Sequence, residues 1–136
     1  MPTPLSLLLI EDDDADRDWV ERNLKSARIL CQVDCASSGE EALALTAKAR
    51  AEPYDVVLVD FGLPDVDPMD LLHKLAKQEP LTDTLIIALS GSRDSGLIHA
   101  AMDLGVHAFM NKPFSPQALM DTLTDSGFWL TFKRPA

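Results

Sequence analysis

Four apolar runs in this chain each stop at a residue able to do chemistry. Val56-Val57-Leu58-Val59 ends at Asp60, which is followed at once by Phe61-Gly62-Leu63-Pro64-Asp65. Leu5 to Ile10 ends in Glu11-Asp12-Asp13-Asp14, Leu85 to Leu89 stops at Ser90, and His107 to Asn111 leads into Lys112. Short, nearly continuous apolar runs suit strands covered on both faces, as in a parallel sheet flanked by helices. In a parallel sheet the carboxyl ends of all strands lie on one rim, where open α/β sheets bind ligands. Three carboxylates gathered there repel one another unless a cation neutralises them. All-oxygen ligands favour a hard ion, and one or two carboxylates with several retained waters is the arrangement Mg2+ prefers. Asp12, Asp60 and a backbone carbonyl just after Asp60, that of Gly62, are the candidate ligands. A carboxylate beside such an ion can also act as a nucleophile and accept a phosphoryl group. Lys112 then offers a cation, and the Ser90 hydroxyl a donor, to the phosphoryl oxygens.

Each of these residues alone has a plainer reading: Asp60 as a turn residue, Lys112 as a solvated lysine, Ser90 as a helix cap. Their joint placement, each type at the end of a different strand, favours the chemistry.

The elements between the runs follow from periodicity and caps. From Ala15, residues Val20, Leu24 and Ala27 recur at helical spacing beside charged Asp16, Arg17, Asp18, Glu21 and Arg22, which predicts an amphipathic helix. Cys31 to Ala36 alternates imperfectly and reads as an edge strand with one wet face. Ser38-Gly39-Glu40-Glu41 matches a capping box ahead of an alanine-rich helix through Ala51. Asp67-Pro68 supplies N-cap and first helical residue for a third helix burying Leu71, Leu72 and Leu75. Leu97, Ala101 and Leu104 mark a fourth, with Gly105 as its left-handed C-cap, and Ser115-Pro116 starts a fifth carrying Leu119 and Leu123. Five strand-then-helix units predict an α/β fold, a single doubly wound, five-stranded parallel sheet with helices on both faces.

Composition sets the outer bounds. A chain of 136 residues, 46% hydrophobic and 25% charged, has the size and balance of one globular domain. The formal net charge of -10 argues against a nucleic-acid surface, which needs clustered Lys and Arg. Cys31 and Cys35, the only cysteines, have no partner Cys or His pair at zinc spacing and read as buried thiols. Met1-Pro2-Thr3-Pro4 lacks the basic start of a signal peptide, and no apolar run has membrane-spanning length, so the expectation is a cytoplasmic protein.

These residues together resemble the receiver domains of two-component response regulators, the CheY-like family with a flavodoxin-like fold. The resemblance rests on Glu11-Asp12 after the first strand, Asp60 followed by Leu63-Pro64, Ser90 after the fourth strand, Phe109, and Lys112-Pro113-Phe114. It implies sheet order 2-1-3-4-5, a receiver domain over residues 1–124, and a C-terminal tail of uncertain structure over 125–136. It implies a phosphoacceptor switch and not a turnover enzyme: Asp60 takes a phosphoryl group from a histidine kinase or phosphotransfer protein. Mg2+, with Mn2+ able to substitute, would be held by Asp12, Asp60, the Gly62 carbonyl and, through water, Glu11. Ser90 and Lys112 would bind the phosphoryl group, Phe109 would turn on activation, and the Lys112-Pro113 bond would be cis. The surface of helix 4, strand 5 and helix 5 would regulate a downstream protein target, with room for a homodimer there.

The chain departs from the family pattern in places. Ser90 stands where Thr is commoner, Gly91 where Ala is usual, and Pro68 where Gly is usual. Gly62 offers no side chain to screen an acyl phosphate on Asp60. Two rivals share the strand-end logic. Haloacid dehalogenase-like phosphatases use an aspartyl nucleophile with Mg2+, but need a second Asp where Gly62 stands. A flavodoxin-like nucleotide binder needs a Gly- or Ser-rich loop after the first strand, where this chain has four acids. His73, His99 and His107 read as surface or packing residues, and Trp19 and Trp129 as core or partner contacts.

Overall fold

Local signals and the long-range sheet agree in the computed structural model, which describes residues 5–26, 28, 31–48, 54–78, 84–90, 95–111 and 116–125. Strands and helices alternate: β1 (Leu5–Ile10), α1 (Asp14–Ser26), β2 (Cys31–Ala36), α2 (Gly39–Lys48), β3 (Val56–Asp60), α3 (Pro68–Lys77), β4 (Leu85–Leu89), α4 (Ser95–Asp103), β5 (Ala108–Met110) and α5 (Pro116–Asp125). All strand pairs are parallel, in the order β2-β1-β3-β4-β5. Among the described residues, no helix is long and apolar enough to cross a membrane.

The pleat sorts the central strands into two cores. Leu7 and Leu9 of β1, Leu58 of β3 and Ile87 of β4 pack with Val20, Leu24 and Leu119 on the α1 and α5 side. Leu8, Ile10, Val57, Val59 and Ala88 pack with Ala42, Leu71, Leu72, Leu75 and Ala101 on the side of α2, α3 and α4. Burial on both sides is why these runs lack polar alternation. Trp19 is half-buried and packs against the first core, while Trp129 lies outside the described residues.

The caps explain where helices begin and end. Asp13 accepts the amides of Ala15 (2.8 Å) and Asp16 (3.1 Å), so α1 starts one residue earlier than its apolar period indicates. Asp67 accepts the Met69 amide at 2.7 Å with Pro68 in the first helical position, as expected. Gly105 sits at φ 111°, while Val106 donates to the Ala101 carbonyl and Gly105 to that of Met102, the paired bonds of a left-handed C-cap. In the Ser38 capping box, Ser38 Oγ accepts the Glu41 amide at 3.1 Å, but Glu41 reaches back to the Ser37 hydroxyl at 3.0 Å. β5 is shorter than expected. His107 precedes it, and its Nδ1 accepts the Ile86 amide at 3.0 Å, a structural role away from the acidic rim.

The outermost strand β2 has its expected wet face, with Gln32 and Asp34 exposed and Tyr54 donating its hydroxyl to Asp34 Oδ2 at 2.7 Å. On the other face both cysteines are free and half-buried, less enclosed than expected, and Cys35 Sγ donates to Glu21 Oε1 at 3.5 Å. Burial, then the hydrogen bond to Glu21 and its negative charge, push the Cys35 thiol up to about 11 from its ordinary 9.0. Burial and Glu21 raise Cys31 as well. The folded chain therefore holds the Cys35 proton more tightly than the unfolded chain, and the stability this contributes is lost as pH rises from 9 towards 11. A thiol held that high carries roughly a hundred-fold less thiolate at about pH 8 than an ordinary one, so native Cys35 should alkylate far more slowly than in denaturant. Mass spectrometry of timed alkylation checks this; equal rates in both states would contradict it.

Candidate functional site

The sheet register delivers the acidic residues to one place. Ile10 of β1 pairs with Val59 of β3, so Glu11 and Asp60 reach the carboxyl rim at the same level, and side-chain alternation turns them to the same face. Glu11 is 1% exposed and Asp60 5%, whereas Asp12, one residue beyond, is exposed. Carboxylate oxygens of Glu11, Asp12 and Asp60 all lie within 4.8 Å of one another. Asp60 also pairs with Leu89 of β4, the Phe61 amide donates to the Leu89 carbonyl, and the Ser90 amide to that of Met110. These bonds set Ser90, 8% exposed, one step past the end of β4 on the same rim.

Hydrogen bonds from neighbouring residues orient the acids. Glu11 Oε1 accepts the Asp13 amide at 3.2 Å, and Arg17 of α1 donates to the Glu11 carbonyl at 2.7 Å while pairing with Asp14. Asp60 Oδ1 accepts the Gly62 amide at 2.9 Å. That bond folds the segment after β3 tightly back over the carboxylate. A Cβ built on Gly62 would stand 3.4 Å from Asp60 Oδ1 and 3.8 Å from Oδ2, ordinary contact distances. Phe61 meets Phe109 of β5 edge to face, with ring centroids 5.4 Å apart and planes at 84°.

Three anionic oxygen donors within one small radius, two of them buried, are a donor set that fits a hard divalent cation. Of the residues predicted from sequence, Glu11, Asp12 and Asp60 come together, Gly62 lies against Asp60, and Ser90 stands on the same rim. Phe109 lies in β5 against Phe61. Lys112, Pro113 and Gly91 lie outside the described residues, as do most of the tail residues. Sequence reasoning passed over Arg17, Phe61, Gly39 and Asp65. Phe61 was open to notice as a large aromatic directly after Asp60. Gly39 was another signal, a residue with low helix propensity in the first turn of a helix.

Comparison with known proteins agrees with this geometry. Residues 7–124 match the family model of the response regulator receiver domain. The chain is 30% identical over 123 residues to the sensory/regulatory protein RpfC of Xanthomonas campestris pv. campestris, a match covering 89% of this chain and 16% of RpfC. The chain thus spans a small part of that relative. Among solved structures, the chemotaxis response regulator CheY4 of Vibrio cholerae superposes with TM-score 0.78 at 27% identity, covering 90% of this chain and 98% of CheY4. The receiver domain of the sensor histidine kinase PA1611 of Pseudomonas aeruginosa PAO1, described with a magnesium ion coordinated in its active site cleft, gives 0.76 at 25% identity, covering 90% and 97%.

Proposed function

Because this chain belongs to the response regulator receiver domain family of two-component signalling, we propose that it is a phosphoacceptor switch with Asp60 as the acceptor. The observation that carries this reading is the convergence of Glu11, Asp12 and Asp60 at the rim. An Asp60 carboxylate oxygen attacks the phosphorus of a phosphohistidine on a histidine kinase or phosphotransfer protein. The P–N bond breaks, the imidazole leaves with its electron pair, and the product is an acyl phosphate on Asp60. Bound Mg2+ supplies charge neutralisation for the carboxylates and the phosphoryl oxygens. Asp12, Asp60 and the Gly62 carbonyl are the residues to hold it, with Glu11 acting through water, and Mn2+ offers the same hard charge.

The added phosphoryl group brings about two negative charges to a rim already rich in them. In this reading Lys112 answers with its ammonium and Ser90 with its hydroxyl. Ser90 is anchored to β5 through the Met110 carbonyl, and Phe109 is the ring in contact with Phe61, so a shift at the end of β4 reaches the surface of α4, β5 and α5. That surface is where a downstream protein, or a second copy of the chain, would read the state. This is a two-state equilibrium biased by a local charge change. The family match gives no support to the phosphatase alternative, whose general acid would have to be Gly62.

The test is incubation with a small-molecule phosphoramidate, with and without Mg2+, followed by intact mass spectrometry. One phosphoryl group per chain, dependent on Mg2+ and labile to hydroxylamine as an acyl phosphate is, is the expected result. Absence of label under both conditions overturns the reading.

The lifetime of the acyl phosphate has its own test. With no side chain at position 62, that residue adds nothing to screen an acyl phosphate on Asp60 from water. A side chain introduced there begins at ordinary contact distance from the carboxylate and at no unusual φ, so the fold should accept it. Gly62→Met is expected to slow dephosphorylation several-fold, timed by loss of label after the donor is removed. An unchanged or faster decay contradicts the screening role.

A further inference from the structure

The segment between Asp60 and α3 is tied to a helix that takes no direct part in the acidic cluster. Asp65 lies five residues after Asp60, and its Oδ2 and Oδ1 accept the Gly39 amide at 3.0 and 3.3 Å. Gly39 is the first residue of α2, and its N–H is one of the donors that a helix leaves without an internal partner. The carboxylate therefore caps α2 from across the chain, where the helix dipole favours negative charge. A second observation concerns shape. A Cβ built on buried Gly39 would stand 2.6 Å from Val66 Cγ1 and 3.2 Å from Val66 Cβ, so only glycine lets the segment seat this closely. Val66 and Leu63 pack into the core beneath α2 and α3, and Asp67 caps α3 at the segment's far end. Between these anchors lies Gly62, whose amide bonds to Asp60.

We infer that Asp65 and Gly39 are positioning residues: together they clamp the segment from Phe61 to Asp67 onto α2 and thereby fix the Gly62 main chain beside Asp60. The inference rests on the phosphoacceptor reading for its consequence, because a Gly62 carbonyl held in place is a pre-formed cation ligand. Asp65 lies outside the cluster of Glu11, Asp12 and Asp60, and both of its carboxylate oxygens accept the Gly39 amide. Its loss should therefore appear as weaker Mg2+ binding, while the rate at saturating Mg2+ is kept.

The experiment measures Mg2+ affinity by calorimetry on the unphosphorylated full chain, and amide hydrogen exchange at Gly62 by NMR. Wild type must first bind Mg2+ and take label; failure there overturns the phosphoacceptor reading, not the clamp. With wild type behaving so, Asp65→Ala is expected to weaken Mg2+ by about tenfold, as loss of outer-shell support typically does. Gly62 exchange should quicken, and labelling at saturating Mg2+ should stay within about twofold of wild type. Asp65→Asn, which keeps an oxygen acceptor, should recover most of the affinity. Gly39→Ala should reproduce the defect, and Gly39→Ala/Val66→Ala should relieve part of it, since removing Cγ1 removes the closest clash while Val66 Cβ stays at 3.2 Å. Unchanged Mg2+ affinity and Gly62 exchange in Asp65→Ala and Gly39→Ala overturn the clamp. A defect that neither Asp65→Asn nor the double substitution relieves also overturns it.

Discussion

Replacing Asp60 with asparagine is expected to abolish phosphoryl incorporation while leaving the fold intact. The substitution conserves shape, and the asparagine side-chain oxygen can still accept the Gly62 amide that Asp60 Oδ1 accepts now. It removes one of three carboxylates whose oxygens lie within 4.8 Å of one another. Without divalent cation, relief of like-charge repulsion should leave the variant as stable as wild type or more stable, by up to about 1 kcal/mol. Circular dichroism and thermal melts report the fold, and intact mass reports the label. Label retained in Asp60→Asn means that another residue accepts the phosphoryl group.

The second large effect concerns the cation. Mg2+ that binds only the folded chain stabilises it by about 1.4 kcal/mol at tenfold excess over its dissociation constant. For a domain of this size that raises the melting temperature by roughly 3–8 °C. Asp12→Asn is the cleanest variant to remove the effect. Asp12 is exposed, so its neutralisation costs the fold little, whereas Glu11 is buried and its carboxylate also accepts the Asp13 amide. Asp12→Asn is expected to melt like wild type in chelator, to lose most of the shift with Mg2+, and to label at least about tenfold more slowly at limiting Mg2+. An undiminished shift would place the cation elsewhere.

Much of this was legible in the sequence because it is local or periodic. The nearly continuous apolar runs of β1, β3 and β4, broken only by Ser6 and ended by Asp60, indicated strands buried on both faces, and strands so buried must be central. Once the strands are parallel, Glu11 and Asp60 follow to one rim without any knowledge of distances. Asp67-Pro68 and Gly105 were readable because each does its work within one turn of its own position. The pairing in the clamp was not readable, since Asp65 and Gly39 are 26 residues apart and the low helix propensity of Gly39 marks its own position but not its partner. Glu41 shows a finer limit. The capping-box spacing identifies the donor and acceptor types, yet whether the acid meets Ser37 or Ser38 depends on how the chain enters α2.

Asp34 has a consequence for how the molecule behaves in a crowd. It sits within six residues of main chain on the flank that β2 presents to solvent, held by the Tyr54 hydroxyl. A foreign chain extending the sheet there would have to strip water from a carboxylate in the middle of its landing strip. A charge so placed on an edge strand disfavours backbone pairing between copies of the protein along this flank.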